Sequence, residues 1–227
     1  MSPFHAQEAE DREDGEEASQ ATFAGNASPP VRARRNALVL IATSMAAAAI
    51  CHANDRASDS VNHSANHDTV AKLLRTGGCV MLLRHAATEP GVGDPPGFTL
   101  SDCATQRNLS VAGQQEARRI GAWFERHKLA PRAVRSSAWC RCKDTADGAF
   151  GKHEVWPALN STFGDRVPQP DATGLLRQAL ARVSARQFEV WVTHQVNISA
   201  FAGQFVGMGE ALILAREGRL LARTTFA

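Results

Sequence analysis

The chain has 227 residues, 44% of them hydrophobic and 21% charged, which suits a domain with a proper core plus extensions and excludes a wholly disordered chain. The net charge of +2 hides an asymmetry: seven acids (Glu8, Glu10, Asp11, Glu13, Asp14, Glu16 and Glu17) face one base, Arg12, in the first 30 residues. The remainder is basic, but its bases are scattered, so no nucleic-acid tract is read and a small anionic substrate is the better match.

Residues 1–31 read as an acidic extension, or the true start lies near Val31. Residues 32–53 have the pattern of an export signal. Arg32, Arg34 and Arg35 precede the 14-residue apolar segment Ala37–Ile50, which is shorter than the roughly 20 residues of a spanning helix. Cys51-His52-Ala53 offers a cleavage site, and an uncleaved N-terminal anchor is the alternative. The expected setting is therefore exported, periplasmic or secreted. Residues 54–68 are polar and form a linker, in which His52, His63 and His67 are read as solvated residues near or within it. A domain over 69–227 follows.

Within that domain the spacing predicts a short helix over Thr69–Arg75 and a buried strand over Cys79–Leu83, bounded by Gly77-Gly78. Ala86–Asp102 is a loop rich in Gly and Pro. Ser110 caps a helix over Val111–Lys128, with Ala117, Ile120, Gly121 and Phe124 on one face. A strand at Ala133–Ser136, a helix at Trp139–Phe150 and a strand at Val155–Leu159 come next. Asp171 caps a helix to about Val183; a strand at Phe188–Thr193 and a helix at Asn197–Val206 follow. Ala211–Ala215 and Arg219–Arg223 make a terminal hairpin. Alternating strands and helices imply a three-layer α/β/α sandwich with a mostly parallel central sheet.

Two strands end in histidine: Val80-Met81-Leu82-Leu83 runs into Arg84-His85, and Val190-Trp191-Val192-Thr193 into His194. Ligands of parallel sheets sit outside the carboxyl ends of the strands, so the pattern brings two imidazoles over one anion site. Arg141 lies in the first turns of the helix after Ser136-Ser137, at the same edge, with Thr145 one turn on. Arg107-Asn108-Leu109-Ser110 leads into a helix beside it. If Cys51 is removed with a leader, Cys79, Cys103, Cys140 and Cys142 remain, an even set that permits disulfides. Cys140-x-Cys142 lacks a second pair at zinc-like spacing, so no metal and no cofactor are expected.

Taken in order, Arg84-His85-Ala86, Leu109-Ser110-Val111-Ala112-Gly113, Ser136-Ser137 through Arg141 to Thr145-Ala146, and Thr193-His194 resemble the histidine phosphatase superfamily, also called phosphoglycerate-mutase-like. The resemblance spans Cys79 to Ala215. It implies that His85 is a nucleophile forming a phosphohistidine, with Arg84, Arg141 and His194 as the phosphate pocket and Arg107 and Asn108 as further substrate contacts. It also exposes departures. Ala86 replaces the usual Gly, and Gln195 follows His194 where Gly is frequent. In Leu159-Asn160-Ser161-Thr162-Phe163-Gly164, Ser161 stands where mutase-like members carry a Glu proton donor. Candidates for that proton are Glu89, Asp94, Asp102 and Asp165, with Asp94 preferred. A disulfide from Cys103 to Cys140 or Cys142 would pin the outer loop over the pocket, and Cys79 is read as an unpaired core thiol. The implied activity is a metal-independent phosphomonoester hydrolase acting on a small phosphorylated substrate. Alternatives are a phosphotransferase or mutase, and a non-catalytic phosphate-ligand binder. No membrane insertion is expected beyond an N-terminal anchor.

Overall fold

The apolar run Cys79–Arg84 forms strand β1 at the centre of a six-stranded sheet. The computed structural model describes residues 64–164 and 171–226. The acidic extension, the export segment, most of the linker and Asp165 lie outside the described residues. β2 (Ala133–Ser136), β3 (Glu154–Val155), β4 (Phe188–Thr193), β5 (Ala211–Ala215) and β6 (Leu220–Thr224) complete the sheet in the order β3-β2-β4-β1-β5-β6. The first four strands of that order are parallel, β5 runs antiparallel to β1, and β6 runs antiparallel to β5. β1 and β4 are apolar almost throughout because both faces of the sheet are covered.

Alternation along β1 sorts its side chains between two cores. Met81 and Leu83 join Ile120, Trp123, Phe124 and Ala146 on one face. Val80 and Leu82 join Leu176, Leu180, Trp191 and Ile198 on the other. The first face is covered by α2 (Val111–Arg126) and α3 (Cys140–Phe150), with α1 (His67–Thr76) beside them; the second carries α4 (Ala172–Ala181) and α5 (Gln195–Ala202). This is the expected three-layer sandwich with a mostly parallel sheet. The caps are those read from the sequence: Ser110 accepts from the Gly113 N–H, and Asp171 from the Gly174 N–H.

Several boundaries differ for local reasons. The strand expected over Val155–Leu159 is only Glu154–Val155, followed by a 3-10 turn over Pro157–Leu159. Pro157 has no N–H to give a ladder. The helix expected over Asn197–Val206 starts at Gln195 and stops at Ala202, where Gly203 adopts the left-handed conformation. The linker ends earlier than residue 68: the Ala65 N–H donates to the Arg223 carbonyl, 2.7 Å away. His67 is not a solvated linker residue. It opens α1, hydrogen-bonds the Thr225 carbonyl at 2.8 Å through Nε2, and meets the Trp123 ring edge-on.

Candidate active site

Strand register builds the site. β1 and β4 are parallel neighbours with Arg84 opposite Thr193, so the next residues, His85 and His194, emerge side by side at the carboxyl edge. The His85 N–H still donates to the Thr193 carbonyl at 3.0 Å, and the two imidazole centroids lie 5.5 Å apart. Ser136 of β2 faces Val192 of β4, which delivers Ser137 to the same edge. α3 then begins, and Arg141 enters from its first turn.

His85 is 3% exposed. Its Nδ1 lies 2.9 Å from the Ala86 carbonyl. A carbonyl only accepts, so this contact assigns the proton to Nδ1 and leaves the lone pair on Nε2. Burial pulls its pKa down to about 3, against the opposing pull of that carbonyl and with help from the charges of Arg141, Arg84 and Arg107. The imidazole is therefore neutral at any ordinary pH.

His194 is also buried, and burial followed by the Arg141 charge holds its pKa well below the usual value. Its Nε2 is 2.8 Å from Ser137 Oγ, which donates in turn to Asn160 Oδ1 at 3.3 Å. Its Nδ1 sits 3.5 Å from an Nη of Arg141. Arginine can only donate, so His194 carries its proton on Nε2 and presents Nδ1 as an acceptor. Thr145 Oγ1 accepts from the Ala86 N–H at 3.0 Å and donates to the Arg141 carbonyl at 2.7 Å. Glu116 of α2 accepts from the Ala87 N–H at 2.8 Å. These contacts lock the backbone after His85 to both α2 and α3.

The cavity at this edge has a volume of about 390 Å³ and is lined by Arg84, His85, Asp94, Arg107, Arg141 and His194, with Trp139, Phe98 and Phe163 among its apolar walls. Three guanidiniums and two neutral imidazoles make an anion seat. Crowding of like charges shows in Arg84, whose pKa is lowered by burial and then by Arg107 and Arg141. Arg84 also donates to the Val206 carbonyl at 2.8 Å.

The other expected site residues fall in different places. Arg107 lines the cavity, but Asn108 does not: its amide donates to the Cys103 carbonyl at 2.6 Å, within the outer loop. Asp102 caps the short 3-10 turn Cys103–Thr105, and Glu89 is exposed outside the cavity lining. Ser161 lines the cavity where the resemblance expects a Glu. Asp94 lines it too, and its carboxylate grips Arg141 at 2.7 and 3.3 Å. Burial would raise the Asp94 carboxyl. Hydrogen bonds from Arg141, the Arg107 N–H and the Trp139 indole, together with the Arg141 charge, outweigh it and hold the group ionised.

Cys103 and Cys140 form a disulfide, with Cα atoms 5.7 Å apart. It ties the outer loop to the first residue of α3. Cys79 and Cys142 are free and buried. Among the described residues no group of three or more His, Cys, Asp or Glu side chains could hold a metal ion, and no helix is long and apolar enough to cross a membrane.

Sequence reading placed Ser137 and Thr145 at this edge, within the motif that runs through Arg141, but gave neither a role. It missed Asn160 and Glu116 as supports, whose contacts depend on the packed chain.

The two buried imidazoles make acid stability a direct test. An unfolded His takes up a proton near pH 6.5, whereas folded His85 does so only near 3. Between these values the unfolded chain binds more protons, so stability falls as pH falls through that window. Denaturant unfolding at pH 7.5 and 4.5 is expected to show a loss that is roughly 2 kcal/mol smaller in His85→Asn than in the unsubstituted protein. Equal losses would mean that His85 is not held neutral.

No family model and no curated protein matches the sequence. Solved structures do resemble it. The protein histidine phosphatase SixA in complex with tungstate is 16% identical, covers 65% of this chain and 96% of its own, and has a TM-score of 0.49. A SixA protein of Agrobacterium tumefaciens is 22% identical over 64% and 97% of the two chains, with a TM-score of 0.45. A phosphoglycerate mutase of Thermus thermophilus is 19% identical over 66% and 99%, with a TM-score of 0.42. None of these reaches a TM-score of 0.5.

Proposed function

We propose that this protein is a metal-independent phosphatase of the histidine phosphatase superfamily, working through a phosphohistidine on His85. The observation that carries this reading is the His85 imidazole: buried, neutral, with Nδ1 held by the Ala86 carbonyl and Nε2 left as a nucleophile in a cavity of three arginines. Nε2 attacks phosphorus, the bond to the leaving group breaks, and the phosphoryl group stays on Nε2. Water then attacks phosphorus, inorganic phosphate leaves, and the imidazole regains its lone pair. Arg84, Arg141 and His194 stabilise the equatorial oxygens, with Arg107 beside them.

The proton for the leaving group is the weak point of the site. Asp94 is ionised on Arg141 in the resting geometry and holds no proton to give. Ser161 occupies the place of the family's Glu. The reading is therefore a phosphatase for substrates whose leaving group departs without protonation. The exported setting belongs to the same proposal, and the Cys103–Cys140 disulfide supports it, because such bonds persist in oxidising compartments.

Rapid quenching during turnover of an activated aryl phosphate is expected to trap an acid-labile, base-stable phosphoenzyme on His85. An alkyl phosphate is expected to turn over at least about 100-fold more slowly. Turnover with the label on another residue, or with no phosphoenzyme, would overturn the mechanism. Binding of phosphate with no turnover of the aryl ester would leave a phosphate-binding protein, the second reading that the missing acid favours.

A further inference from the structure

Asp94 occupies the part of the cavity that Arg141 would offer to a substrate. Both carboxylate oxygens engage both terminal nitrogens of the guanidinium, at 2.7 and 3.3 Å. The Arg107 N–H donates to the first oxygen at 3.0 Å and the Trp139 indole N–H to the second at 2.9 Å. A guanidinium fork, an indole N–H and a backbone N–H converging on one anion form the donor set expected for a phosphoryl group. Asp94 is the sole carboxylate among the described residues lining the cavity. The side chains of Arg141 and Asp94 are 5% and 7% exposed, so the pair is shielded from water and the interaction is strong. With its two terminal nitrogens engaged and its Nε buried without a partner, Arg141 has no edge of its fork left for an incoming anion.

The segment carrying Asp94 turns on two glycines. Gly91 and Gly93 have φ of 130° and 71°, conformations that glycine adopts at no steric cost. Val92 between them is 90% exposed. Further along, the loop is anchored by the Cys103–Cys140 disulfide. Displacing Asp94 requires the tip over residues 91–97 to lift, parting the hydrogen bond from the Arg107 guanidinium to the Gly91 carbonyl, while the disulfide keeps the base of the loop on α3.

We propose that Asp94 is an internal anion that holds the phosphate seat on Arg141 in the resting protein, and that a phosphoryl group binds by displacing it. This rests on the reading of Arg141 as a phosphate ligand. Displacement makes Asp94 a specificity-determining residue: a phosphate dianion outcompetes the single carboxylate charge, whereas a monoanionic ligand does not.

Calorimetric titration of the full chain with inorganic phosphate at pH 7.5 tests the idea. Asp94→Asn keeps the shape and removes the charge, and is expected to bind phosphate roughly tenfold more tightly than the unsubstituted protein. Weaker or equal binding would overturn the proposal and make Asp94 a support that positions Arg141. A second measurement needs no variant at this position. The indole N–H signal of Trp139, assigned with Trp139→Phe, is expected to shift along the same saturation curve as the heat, while those of Trp123, Trp156 and Trp191 stay put. A Trp139 signal that does not move as phosphate binds also overturns displacement. If neither form takes up phosphate, the phosphatase reading falls together with this one; if both take it up equally, only displacement falls.

Discussion

Replacing His85 with alanine is expected to abolish turnover of an activated aryl phosphate, by at least about 10⁴-fold, while leaving the protein folded and still able to bind phosphate. The loss is large because no second imidazole or thiolate with a free lone pair lines the described cavity, and the Ser161 hydroxyl there is a far weaker nucleophile. His194 presents Nδ1 toward Arg141, and the Cys142 thiol is pushed up to about 12 by burial and stays protonated. Binding survives because the arginines are held independently of His85: Arg84 by the Val206 carbonyl, Arg141 by its place in α3. The fold survives because His85 is neutral and takes part in no ion pair, so its removal strands no buried charge. Steady-state kinetics, a phosphate titration and a thermal melt on one preparation check all three statements. A folded variant that keeps its turnover would remove His85 from the mechanism.

Gly113→Ala is expected to cost more than about 3 kcal/mol of stability, a severe case of overpacking, and to lower turnover in whatever fraction stays folded. Propensity alone points the other way, since alanine in a helix is favoured over glycine by about 1 kcal/mol. The close approach decides the sign. A Cβ on Gly113 would lie 1.8 Å from the Ala87 carbonyl oxygen and 2.8 Å from its carbon, both backbone atoms. Ala87 cannot step aside without moving Ala86, whose carbonyl orients His85 and whose N–H is bound to Thr145. Denaturant unfolding of Gly113→Ala beside a conservative surface variant of α2 measures the cost. A variant as stable as the parent would show that α2 does not press on the loop after His85.

The strands were legible because burial on both faces writes itself as continuous apolar runs. Cys79–Leu83 of β1 and Val190–Val192 of β4 are such runs. Ser110 and Asp171 were legible because a side chain that caps a helix acts within three residues of itself. Failures came where a local signal was overruled. Apolar content suggested a strand through Leu159, yet Pro157 cannot donate to a ladder and the chain turns. His67 looked like linker because its neighbours in sequence are polar; its neighbours in space are Trp123 and Phe226.

The residues of the site divide in the same way. Sequence alone placed His85 and His194 at strand ends and Arg141 at the start of a helix, because those positions follow from periodicity and from the order of elements. What it could not settle was how far Asp94 is from Arg141, or that Asn108 turns to the Cys103 carbonyl and away from the cavity. Asp94 and Arg141 stand on a loop and a helix separated by 47 residues, and their pairing depends on the path of the Gly91–Gly97 turn. Which of two cysteines joins Cys103 was equally open until α3 put Cys140 at its first position, within reach of the loop, and Cys142 in the core beside His194. Element type and edge position are set by short-range composition and by which faces are buried. The charge state and role of each group at that edge are set by contacts that only the packed chain creates.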